Sequence, residues 1–135
     1  MVDDNQLPAN SRVWIYQSNQ AFSDTQTQEI QQNLKHFVAQ WQSHGAPVKA
    51  WAGIRYNRFV IFVVDEAHEA PSGCSIDSSV AIIKDIEQKM GVNMFDRLNF
   101  AYKVDASTVK SADREDFSDL YNSNQIDDNT TVFNN

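Results

Sequence analysis

Cys74, His68, Asp65 and Asp77 fall within one short stretch, Asp65 to Ser79, which also carries Glu66 and Glu69. These are the parts of a thiol-dependent reaction. A cysteine just ahead of a helix feels the positive end of the helix dipole, which favours the thiolate. His68, six residues earlier, is the candidate base, and Asp65 or Asp77 would orient its ring. Gly73 allows either a tight turn or close approach of backbone N–H groups to an anion. The competing reading makes Cys74 a small buried hydrophobe, with Asp77 and the neighbouring serines as helix caps. Asp65, Glu66, His68 and Glu69 offer carboxylate and imidazole donors, but their spacing follows no metal-ligand signature, so no metal and no cofactor are expected. His44 and His36 are read as a helix-end residue and an exposed helix residue.

A second constellation could bind rather than react. If Val13 and Ile15 point to the helices, Trp14 and Tyr16 point outward with Trp51, Arg55, Asn99 and Lys103. Such a face can stack bases, as RNA-recognition modules do. Exposed apolar patches more often mark contact with another subunit, or cover by the chain's own C-terminal segment with Phe117 and Tyr121.

The elements that position these residues follow from periodicity. Arg12 to Gln17 is β-branched and aromatic, hence a strand. Ser23-Asp-Thr-Gln26 has the form of a capping box, and Ile30, Leu34, Phe37, Val38 and Trp41 form one helical stripe, stopped at His44-Gly45-Ala46-Pro47. Val48 to Tyr56 alternates as a half-buried strand. Asn57-Arg58 turns into Phe59–Val64, which is apolar on both faces and therefore central. Val80, Ile83, Ile86 and Met90 mark a second helix starting near Ser78 and closed by Gly91, and Leu98 to Val104 alternates again. The order β-α-β-β-α-β predicts an α+β, ferredoxin-like domain over 12–104, with a four-stranded antiparallel sheet and both helices on one face. Residues 1–11 read as a loose start. Residues 105–135 read as an acidic tail with a short helix from Asp113 to Tyr121.

Composition removes several classes of function. The chain has 135 residues and a net charge of -7, with seven acids against two bases from Asp105 onward. That disfavours a phosphate-backbone binder, and no RNP-like run is present. The four glycines form no phosphate-binding loop, so P-loop ATP hydrolysis is excluded, and one cysteine allows no internal disulfide. No signal peptide or membrane-length apolar run is visible, so a cytoplasmic protein is expected, with no membrane contact.

Arg12-Val-Trp-Ile-Tyr-Gln17, Phe37 to Pro47, Arg58 to Glu66, Phe95-Asp96-Arg97, Thr131 to Asn135 and above all Ser72-Gly-Cys-Ser-Ile-Asp-Ser-Ser79 resemble a family of small bacterial proteins whose members often carry the label "ABC transporter ATPase". The absent P-loop leaves that label without chemistry in this chain. The resemblance implies a Trp-containing tail beyond the Phe-Asn-Asn segment and no established activity or cofactor. It adds weight to the Cys74 stretch as a place to look. The expectation drawn from the whole sequence is a ligand- or protein-binding module, dimeric or bound to a protein partner. A Cys74 enzyme and a single-stranded nucleic-acid binder using Trp14, Trp51 and Arg55 are the alternatives.

Overall fold

The computed structural model describes residues 3–67 and 73–133, without the side chains of 73–75. Its architecture is α+β, built on two three-stranded antiparallel sheets and a small hairpin. After a 3-10 turn at Asp4–Gln6 come strand β1 (Arg12–Gln17) and helix α1 (Asp24–Gln40). Ser23 opens α1 as the sequence predicts. Its hydroxyl accepts from the Gln26 N–H at 3.1 Å, and the Gln26 side chain accepts from the Ser23 N–H at 3.0 Å. These bonds satisfy two N–H groups that have no partner within the helix.

The stop after α1 takes a different form from the expected glycine cap. Trp41 ends the helix in an extended conformation. His44 and Gly45, both with positive φ, then turn a hairpin between β2 (Gln42–Ser43) and β3 (Ala46–Pro47). Strands β4 (Ala50–Arg55) and β5 (Phe59–Val64) follow, joined by a turn centred on Tyr56 and Asn57 rather than on Asn57-Arg58. The register Arg55↔Phe59 leaves Arg58 outside the ladder, where it is buried. Helix α2 (Gly73–Met90) starts well before Ser78, so Cys74 and Asp77 belong to the helix rather than to a loop preceding it.

β5 is the central strand of the first sheet, in the order β1-β5-β4. Its two apolar faces serve two cores. Val60, Phe62 and Val64 join Ile30, Leu34 and Val38 of α1 and Ile83 and Ile86 of α2. Both helices therefore lie on one face. Phe59 and Ile61 point the opposite way, toward Ala101, Val109 and Phe133.

The expected four-stranded sheet does not form. Strand β6 (Asn99–Lys103) is flanked by β7 (Val109–Asp113) on one side and by β8 (Val132–Phe133) on the other. With both of its edges paired, β6 has none left for β1, and it packs instead on the second face of β5. The segment read as a tail thus supplies β7, β8 and helix α3 (Arg114–Asn122), which Asp113 caps through the Asp116 N–H at 2.8 Å. The short helix over this region agrees with the periodicity; the strands on either side of it carry no such pattern and replace the expected tail. Among the described residues, no helix is long and apolar enough to cross a membrane.

Candidate functional site

Of the Cys74 constellation, Asp65 and Asp77 are described with their side chains. His68 and the Cys74 side chain lie outside the described residues. Asp65 is almost fully buried at the end of β5. Its Oδ1 accepts from the Ala67 N–H at 2.9 Å, and its Oδ2 lies 3.8 Å from the Lys49 ammonium. The Asp65 N–H donates to the Lys49 carbonyl at 2.9 Å, so this residue extends the β4–β5 ladder and holds the chain as it leaves the strand. Asp77 is exposed on α2. Asp65 is thus buried at the end of β5 and Asp77 exposed on α2, while the partners proposed for them, His68 and the Cys74 thiol, lie outside the described residues. Nearby, the Tyr16 phenol meets Ser79 on α2. Burial raises the Tyr16 pKa above its ordinary value, and the hydrogen bond from Ser79 opposes that rise. Among the described residues, no group of three or more His, Cys, Asp or Glu could hold a metal ion.

The binding face is rearranged. Residues opposite each other in an antiparallel pair share a sheet face. Trp14 is opposite Phe62 and Tyr16 opposite Val60, so both aromatics face the helices, contrary to expectation. The rings settle the direction. Trp14 lies 6.4 Å from Trp41, and Tyr16 lies edge-on to Phe62 at 6.2 Å. Trp51, opposite Val63, and Arg55, opposite Phe59, occupy the other face, so Trp14 is not part of a platform with them.

Trp51 is also already engaged. Its indole lies across Gly53, where a Cβ would collide with the ring. The Arg55 guanidinium sits 4.9 Å from the indole centroid and reaches Asp4 at 2.9 Å. An indole covered by a guanidinium that is itself paired to a carboxylate offers little stacking surface to a base. Gly53→Ala is expected to lift the indole off the strand and loosen the Asp4–Arg55 contact. The Trp51 indole N–H resonance in a 1H–15N spectrum should shift by far more than those of Trp14 and Trp41. An unmoved Trp51 resonance would contradict this stacking.

The rearrangement leaves a surface that the periodicity did not reveal. Turning Trp14 and Tyr16 inward turns Val13 and Ile15 outward, each 50 % exposed. Beside Ile15 stands Phe95, from the connection between α2 and β6, also exposed. β1 is an outer strand, and among the described residues its backbone ladder runs to β5 alone. Where Phe95 packs on Tyr16 at 5.7 Å, the edge is notched. The notch, about 120 Å³, is lined by Ile15, Tyr16, Gln17, Met94, Phe95 and Arg97. That volume suits one side chain and falls below the ~300–1,000 Å³ of ligand pockets. At the other end of β1, Arg12 pairs with Glu66 at 3.3 Å. Only the alternation within Arg12–Gln17 could have signalled this surface, and alternation does not say which set of residues faces out. Compared with family models, with curated proteins and with solved structures, the chain finds no match in any of the three, so its function is argued from this geometry.

Proposed function

We propose that the chain is a protein-binding module that takes an extended segment of its partner onto the outer edge of β1. The observation that carries this reading is a six-residue edge strand whose outer side has no strand beside it among the described residues, flanked by exposed Val13 and Ile15. Natural sheets shield such edges with proline, lysine, bulges or short strands. Arg12–Gln17 contains no proline, lysine or glycine, and its register with β5 runs unbroken from Arg12↔Val64 to Gln17↔Phe59. In strand addition, backbone hydrogen bonds give affinity and alternate side chains give selectivity. The order β1-β5-β4, with α1 crossing over, matches three strands of a ferredoxin-like sheet. The incoming segment would take the place of the fourth.

The reading is tested by selecting binders from a displayed library of ten-residue extended segments. Binders should perturb backbone amides of residues 12–17 and 93–98, and Ile15→Lys should abolish their binding. Selected segments that bind Ile15→Lys as well as the parent chain would overturn it.

A further inference from the structure

Resting on that reading, we infer that the segment received at β1 is β1 of a second copy, paired antiparallel about a two-fold axis at Trp14. The two outer strands of the first sheet are not equivalent. On β4, Ala50, Ala52 and Ile54 are buried and Arg55 alone is exposed, whereas β1 exposes both Val13 and Ile15. On β1, Arg12 is the only charged residue, and Glu66 neutralises it.

Symmetry fixes the register. A two-fold axis perpendicular to a continuous sheet returns each face to itself, so residues facing each other must share a face. Centring on Trp14 sets Val13 opposite Ile15 of the second copy, and Ile15 opposite its Val13. Both exposed apolar residues of each chain then have apolar partners. Centring on Ile15 would instead set Val13 opposite Gln17. In the Trp14 register Arg12 of the second copy falls opposite Tyr16, at the notch lined by Phe95 and Arg97. Arg12 arrives there already paired with Glu66, so the exposed Arg97 meets a neutralised guanidinium rather than a bare cation. The result is a six-stranded sheet with a continuous Val/Ile stripe.

The test uses the full chain. Sedimentation velocity should give twice the 15.4 kDa chain mass, and Ile15→Lys should weaken the dimer by roughly 10–100-fold. Ile15 is half exposed, so this variant should remain folded, with an unchanged circular dichroism spectrum. In a Cys74→Ser background, a mixture of Val13→Cys and Ile15→Cys chains exposed to oxidised glutathione should form a heterodisulfide. Directly opposed residues have Cα atoms about 4.5–5.5 Å apart, within disulfide reach. Ile15→Cys alone should not cross-link. A dimer that Ile15→Lys leaves intact, or an Ile15→Cys homodisulfide without the mixed one, overturns the Trp14-centred pairing. A monomer that binds displayed segments through β1 overturns the second copy and leaves the binding reading standing. A monomer without β1-dependent binding overturns both.

Discussion

Phe62→Ala is expected to lower the unfolding free energy by about 3–5 kcal/mol, enough to remove a large part of the stability of a domain this size. Phe62 is fully buried at the middle of β5. Its ring meets Tyr16 at 6.2 Å, Phe37 at 5.9 Å and Trp41 at 5.8 Å, joining β1, α1 and the residue that ends α1. Truncation forfeits the transfer free energy of the ring. It also leaves a cavity that three large neighbours, held by their own backbones, cannot close. Urea denaturation should show a lower midpoint with an unchanged slope, because the unfolded surface is hardly altered. A loss below about 1 kcal/mol would mean that this aromatic cluster does not bear on the fold as its geometry indicates. The contrast with Ile15 is useful. Half exposed on β1, Ile15 should tolerate substitution at little cost to folding. A defect in association seen with Ile15 variants is then a defect of the surface.

The sequence and the structure agree where one local pattern decides the outcome. The capping box at Ser23 and Gln26, the stripe Ile30, Leu34 and Val38, and the all-apolar run Phe59–Val64 each had one low-energy reading. Two of the departures, the face of β1 and the neighbours of β6, share a different origin. The alternation in Arg12–Gln17 fixes which residues share a face but not which face meets the helices. That depended on Trp41 and Phe62 receiving Trp14 and Tyr16, a long-range contact. Likewise, β6 was legible as a strand, but its neighbours were not. Val109–Asp113 is short and polar, and its place beside β6 comes from Val109 joining Phe59 and Ala101 in the second core. An acid-rich composition made that segment look like solvated chain. The candidate site was less legible. Four carboxylate, imidazole and thiol residues drew attention to Asp65–Ser79, whereas the open edge of β1 follows from a pairing choice made by β6.

Arg58→Met is expected to cost about 2–3 kcal/mol and to loosen the second sheet before the first. Arg58 sits in the β4–β5 turn and is 6 % exposed. Its Nη1 donates to the Ser18 carbonyl at 3.2 Å and to the Ser111 hydroxyl at 2.6 Å, and Ser111 in turn donates to the Asn19 carbonyl at 3.0 Å. One guanidinium thus bridges the end of β1 to β7, between sheets that share no backbone ladder among the described residues. Two effects compete. Burial pushes the Arg58 pKa down, with Tyr102 opposing, and the buried Nε has no hydrogen-bond partner among the described residues. Desolvation of such a group is expensive, and exchanging a buried charge for an apolar side chain can be neutral or favourable. Against this, hydrogen bonds from a charged donor contribute about 1.5–3 kcal/mol each, and a thioether in place of the guanidinium would leave the Ser18 carbonyl, in a fully buried residue, without this donor. The bonds outweigh the desolvation here because two acceptors on different segments lose their shared donor at once. Hydrogen exchange should therefore speed up in 109–113 and 99–103 while 59–64 keeps its protection. Unchanged or increased stability would show that desolvation dominates, and that Phe59, packed on Phe133 at 4.9 Å, carries the contact between the sheets without the arginine.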